Sequence, residues 1–161
     1  MNIRKTISSD RTKVLRITEG VANFTEKEIK VAMEVVDQSC DGNEEYLTRC
    51  IVDEDDDVAG YASFGLIPLT ESSYDLYWIA VDKDRQHRGY GHMLLDRVER
   101  EVVADGGERL FVETSSEDNY ADTRQFYEKR GYFREATIKD FYWKGNDKII
   151  YVKELNRTAS E

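Results

Sequence analysis

Residues 85–95, Arg-Gln-His-Arg-Gly-Tyr-Gly-His-Met-Leu-Leu, put two glycines and two arginines between a strand-like apolar run and a helix-like one. The first turn of a helix carries unpaired N–H groups and the positive end of the helix dipole, and together these bind anions. Glycine permits positive φ and lets a ligand approach the backbone closely. Arg85 and Arg88 add mobile positive charge at the rim. The chemistry available here is the holding of phosphate. A plain helix start with surface arginines has the same composition, so the spacing has to decide. A dinucleotide fingerprint needs a glycine where Leu94 stands, and a nucleoside-triphosphate loop needs Gly-Lys before Ser or Thr, which is absent.

The rest of the composition limits whose phosphate this is. A chain of 161 residues fits one domain, residues 1–161, with a polar tail from about residue 156, and 40% hydrophobic with 35% charged residues suits a soluble globular protein. A net charge of -10 argues against nucleic acid, whose phosphates need a basic face, and suits a cationic substrate. No apolar run approaches a membrane span, and the first residues lead into polar sequence, so the expected location is cytoplasmic. Cys40 and Cys50 have neither a disulfide framework nor metal-ligand spacing around them, which predicts reduced, buried thiols and no metal.

Elements to position the loop can be read on both sides of it. Residues 3–7 suit a short strand, and Ser9 or Asp10 can cap a helix to Glu19. Thr25 and Glu28 form a capping box before Ile29, Ala32, Met33 and Val36 at helical spacing. Strands are predicted at 46–52 and 58–66 around the acidic turn 53–57, which lacks the glycine and distal glutamate of a calcium loop and reads as a solvated hairpin turn. Residues 73–81 make the strongest strand, a helix runs from Gly89 to about Ala104, and residues 110–114 form a fifth strand. A helix over 122–130 closes at Gly131, and strands at 132–139 and 148–155 flank the segment 140–147. The fold class is mixed α/β ending in a β-hairpin.

Gln86, His87, Arg88, Gly89, Tyr90 and Gly91 match the pattern Q/R-x-x-G-x-G/A. With the preceding strand and following helix, this resembles the acetyl-CoA pyrophosphate loop of the GNAT superfamily of N-acetyltransferases. A second block, residues 123–133, Thr-Arg-Gln-Phe-Tyr-Glu-Lys-Arg-Gly-Tyr-Phe, looks like the family's segment around a tyrosine near the cofactor sulfur. The resemblance extends from about Val58 to Leu155. It implies a mostly antiparallel sheet flanked by helices, in which the fourth and fifth strands splay to admit the pantetheine arm. Ile79 and Val81 would pair their backbone with that arm, and residues 86–91 would cradle the pyrophosphate. Tyr127 takes the tyrosine position. The family often has an asparagine seven residues earlier; Tyr120 stands there, and the implied cofactor contact falls one step away on Asn119.

Direct acyl transfer from a thioester to an amine needs a neutral amine, stabilisation at the carbonyl and an acid for the departing thiolate. Tyr127 is the expected acid, with aromatic packing as its other reading. Strand alternation puts Asp75, Tyr77, Ile79 and Val81 on one face, the cofactor side. Asp75 also matches the place where histone-type members carry a glutamate base, and a polar strand start would look the same. Glu71 and Glu113 are alternative bases. Phe141, Tyr142 and Trp143 either wall an acceptor pocket or are ordinary hairpin aromatics. The expected protein is an acetyl-CoA-dependent N-acetyltransferase, monomer or homodimer, acting on a primary amine of a small molecule or a protein, with a protein lysine acetyltransferase as a rival reading. A non-catalytic acyl-CoA-binding module is the other reading.

Overall fold

The computed structural model describes residues 1–155, so the tail from 156 lies outside the described residues. In chain order the elements are β1 (Asn2–Lys5), α1 (Arg11–Glu19), α2 (Glu26–Cys40), β2 (Leu47–Val52), β3 (Val58–Leu66), β4 (Ser73–Val81), α3 (Tyr90–Ala104), β5 (Arg109–Ser115), α4 (Ala121–Lys129), β6 (Phe133–Trp143) and β7 (Asn146–Glu154). The strands form one sheet in the order β1-β2-β3-β4-β5-β7-β6, antiparallel throughout except for a parallel β4–β5 pair.

Local sequence explains most of these elements. The capping box starts α2: Glu28 N–H donates to Thr25 Oγ1 at 3.3 Å, and Thr25 N–H donates to Glu28 Oε2 at 2.7 Å. Gly89 caps α3 at φ 81°, a left-handed conformation that costs other residues about 1–2 kcal/mol. Asp10 stands before α1 as expected but does not cap it. Its carboxylate instead accepts from Ile7 N–H and accepts two hydrogen bonds from the Arg4 guanidinium, closing a short 3₁₀ turn over Ser8–Asp10. β6 runs further than the sequence suggests, to Trp143, because a bulge at Asp140 (φ 53°) lets the hairpin tighten to Lys144-Gly145. Asp140 holds that turn by accepting from Gly145 N–H at 2.7 Å while its own N–H donates to Asp147.

Two cores sit on opposite faces of the sheet. Leu94, Leu95, Val98 and Val102 of α3 are fully buried against Phe64, Leu76, Leu110 and Tyr151 on one face. Each such side chain contributes about 1.5–3 kcal/mol by leaving water. Val14, Ile17, Met33 and Val36 of α1 and α2 pack on Cys50, Tyr61 and Ala80 on the other. Both cysteines are free: Cys50 is buried beside Thr6 Oγ1 at 3.0 Å, whereas Cys40 is only half-buried, and burial pushes both thiols up.

A bulge in β4 changes which residues share a face. Trp78 pairs with Ser63 and Leu76 with Phe64, leaving Tyr77 as the extra residue. Alternation therefore slips by one there. Tyr74, Leu76, Ile79 and Val81 belong with the α3 core, and Trp78 and Ala80 with the α1–α2 core. Asp75, opposite Gly65, falls on the α1–α2 face and not with Ile79 and Val81 as strict alternation predicts.

Candidate active site

The loop after β4 leads from the end of the strand directly into the N-terminus of α3. Asp82 caps a 3₁₀ turn, Lys83–Arg85, by accepting from Asp84 N–H at 3.1 Å. His87 (φ 61°) and Gly89 (φ 81°) then adopt left-handed backbone within three residues of each other. Such alternation turns successive N–H groups toward one side, and α3 begins directly behind them. Gln86, His87, Arg88 and Gly89 are exposed. Open space surrounds Gly89, and a Cβ on Gly91 would meet only Phe126 at 3.6 Å and Val81 at 3.9 Å, ordinary contacts. The protein's own packing does not demand glycine at 91. A close-lying ligand would.

Arg85 is not the mobile rim charge that its sequence position suggests. Its guanidinium spans two carboxylates of the acidic turn, Asp53 at 2.8 Å and Asp57 at 2.5 Å. That turn is an ion-paired structure as well as a hairpin: Asp53 Oδ1 accepts from Asp55 and Asp57 N–H, and Asp56 pairs with Arg4. Arg88 is left as the arginine within the loop itself.

Beside the loop the sheet opens. β4 and β5 pair only at Ser73–Arg109, Tyr74–Leu110 and Asp75–Phe111, while β5 continues along β7 as far as Ser115–Lys148. Past Asp75, β4 follows β3 alone, and the bulge at Tyr77 adds the bend that carries it away from β5. Residues 76–81 have no strand partner on that edge.

On the α1–α2 side of this gap stands a group of charged residues. Asp75, Glu113 and Lys148 share the face by register, and Lys148 Nζ lies 2.7 Å from Glu113 Oε2 and 4.1 Å from the Phe141 ring centroid. Burial, then the negative charge of Glu113, pushes the Asp75 carboxyl up to about 6, against a lesser pull from Lys148. No described residue hydrogen-bonds to it. Tyr142 of β6 is 42% exposed, and its phenol is pushed up by partial burial and then by the negative charges of Glu113 and Glu28. Glu71 is exposed in the β3–β4 connection. Lys148, which sequence inspection passes over, is brought to Glu113 only by the β5–β7 pairing.

Tyr127 lies on the opposite face, 4% exposed, with its ring against Phe126, Tyr132 and Tyr151 at centroid distances of 5.2, 5.5 and 6.4 Å. Burial raises its pKa, and no described residue bonds its hydroxyl, so at neutral pH it is a phenol with an unused proton. Phe126 stacks at 5.0 Å on His92 and faces Gly91, which connects α4 to the loop. Asn119 is exposed in the turn before α4, where its carbonyl accepts from Asn23 Nδ2 at 2.6 Å. Tyr120 OH donates to Asn23 O at 3.0 Å, so the two residues bridge to the α1–α2 connection. Among the described residues no three His, Cys, Asp or Glu side chains gather as a metal would require, and no helix is long and apolar enough to cross a membrane.

The sequence model of the Acetyltransferase (GNAT) family matches residues 16–132, well over half of the chain. The protein belongs to the GNAT family. Among solved structures, a GNAT-family protein from Desulfovibrio desulfuricans is 43% identical and superposes with a TM-score of 0.91, over 96% of this chain and 98% of that one. The ribosomal-protein-S18-alanine N-acetyltransferase of Escherichia coli shares the fold at a TM-score of 0.78 and 20% identity, over 99% and 97% of the two chains. An aminoglycoside 6'-N-acetyltransferase in complex with coenzyme A shares it at 0.76 and 18%, over 96% and 97%. A curated relative, the ribosomal protein bS18-alanine N-acetyltransferase of Salmonella typhimurium strain LT2, is 35% identical over 82 residues, and this match spans 51% of the present chain and about half, 53%, of the relative. The parallel β4–β5 pairing at Ser73–Asp75 closes one end of the gap, and the glycine loop and the α3 N-terminus stand at the other, after Val81.

Proposed function

We propose that this GNAT protein transfers the acetyl group of acetyl-CoA directly to a primary amine. The observation that carries the reading is the parting of β4 and β5 beyond Asp75 and Phe111, beside a loop whose glycines leave room at a helix N-terminus. The pyrophosphate would lie on the N–H groups of residues 86–91, with Arg88 at the rim. The pantetheine arm would add to the free edge of β4 at Ile79 and Val81, on the α3 face. The thioester then reaches the gap between the two faces. Tyr127 stands on the cofactor side and would give its proton to the departing sulfur. Asp75 stands on the α1–α2 side, where an acceptor would enter, and would take the amine proton, directly or through water.

Two carboxylates on the acceptor side are not equivalent. Glu113 is held by Lys148, whereas Asp75 is unpaired and shifted toward neutrality, which suits a general base. The rate should rise with pH through a limb near 6 as Asp75 ionises, and Asp75→Asn should lose that limb and be slowest relative to wild type between about pH 6 and the amine's own pKa. A pH–rate profile checks this, and an unchanged limb in Asp75→Asn puts the base elsewhere. Stability has a matching sign. Because the folded carboxyl binds its proton more tightly than the unfolded one, wild-type stability falls as pH rises from about 3.8 through about 6. Asp75→Asn should therefore melt higher than wild type at pH 8 and differ less at pH 4.

A protein amine is the second acceptor reading, favoured by the local 35% identity to a ribosomal-protein alanine acetyltransferase. The exposed aromatics Phe141, Tyr142 and Trp143 on β6 offer a surface for a polypeptide beside the gap. A panel of small primary amines set against peptides with free amino termini or lysines separates the two.

A further inference from the structure

We propose that the acidic β2–β3 turn is a positioning device for the cofactor loop, with Asp53 and Asp57 holding Arg85 so that residues 86–91 are shaped before CoA arrives. The proposal rests on the reading of that loop as the pyrophosphate site. An acidic turn beside an anion-binding loop is electrostatically adverse, which calls for another reason for its presence. The geometry supplies it. Asp53 Oδ2 and Asp57 Oδ2 accept from separate Arg85 nitrogens at 2.8 and 2.5 Å, a forked arrangement that fixes the guanidinium plane. Lys13 of α1 closes the network, 3.4 Å from Asp57 and 3.5 Å from Asp82.

The loop that follows needs such a hold. His87 is a non-glycine residue at φ 61°, and conformations of this kind persist only when the surroundings impose them. Yet Gln86, His87 and Arg88 are exposed, and no described residue hydrogen-bonds to their side chains. Asp82 and Arg85 are thus the side chains that tether the segment ahead of α3. Paired to two acids, Arg85 acts through position and not as a free charge on the phosphate.

Calorimetry with CoA on Asp53→Asn/Asp57→Asn tests this, because asparagine at 53 keeps the oxygen that accepts from Asp55 and Asp57 N–H. CoA affinity is expected to fall about 5- to 20-fold, the scale of a lost half-buried forked ion pair, at an unchanged melting profile. Backbone order parameters of residues 86–91, measured by NMR relaxation, should fall while those of β5 stay high. Arg85→Gln should weaken CoA binding at least as much as the double variant, because it leaves both acids unpaired, and the triple variant should match the double, in which the linkage is already broken. Arg85→Gln alone carries the test should the double variant not fold. Tighter CoA binding in Asp53→Asn/Asp57→Asn would overturn the proposal by showing that the acids withhold Arg85 from phosphate. Unchanged affinity and unchanged loop order would overturn it too, leaving an inert surface bridge. Failure of the wild-type protein to bind CoA would instead sink the cofactor reading itself.

Discussion

Tyr127→Phe is expected to lower turnover by about 10²- to 10⁴-fold, the range for a lost general acid, with acetyl-CoA affinity little changed. The substitution isolates chemistry from packing because the phenyl ring keeps its neighbours, Phe126, Tyr132 and Tyr151, and the hydroxyl has no hydrogen-bond partner to abandon. Burial raises the phenol's pKa, so the proton is present at every pH where an amine can react, and the variant's pH profile should keep its shape at a lower height. Steady-state rates together with a CoA titration check this. Full turnover in Tyr127→Phe assigns the residue to the core and leaves the acid role to solvent or another group.

The second large effect is expected at the loop. Gly89→Val/Gly91→Val should weaken CoA binding by about 100-fold or more, since several charge-assisted bonds from backbone N–H groups are lost together, each about 1.5–3 kcal/mol. The two positions act differently. Valine at 89 is forced toward a φ of 81° that a β-branched residue resists, so the cradle itself unwinds. Valine at 91 retains the helix, and its added bulk beside Phe126 and Val81 obstructs the close backbone approach that the proposed phosphate contact needs. Gly91→Val alone should therefore keep the wild-type melting temperature and still bind poorly. Calorimetry showing wild-type affinity in folded variants would remove the loop from the cofactor site.

What the sequence reveals here is what is local. The α2 capping box, the strand at 73–81, the glycine loop and the Tyr127 block each depend on residues within a turn or two of one another, and each is found where spacing puts it. Asp75 was legible as a residue of β4 but not as to its face. The run Tyr-Asp-Leu-Tyr-Trp-Ile-Ala-Val is apolar on both sides, so no polar alternation betrays the bulge at Tyr77, and only the register with β3 shows it. That bulge matters for chemistry, because it separates Asp75 from Ile79 and Val81 and puts the two proposed proton-transfer groups on opposite sides of the gap. Arg85 with Asp53, 32 residues apart, and Glu113 with Lys148 were likewise invisible, since strand order brings them together. A charged side chain in sequence carries no sign of its partner.

Release of free CoA thiol from acetyl-CoA, followed in the presence of a graded panel of primary amines and basic peptides, tests acetyl transfer most directly. The structure predicts release whose rate climbs with the concentration of at least one amine, with one acetyl group found on that amine by mass and with Tyr127→Phe slowing it. CoA binding intact, but no amine-dependent thiol release from any acceptor in the panel, would contradict the account and leave a protein that binds acetyl-CoA without using it.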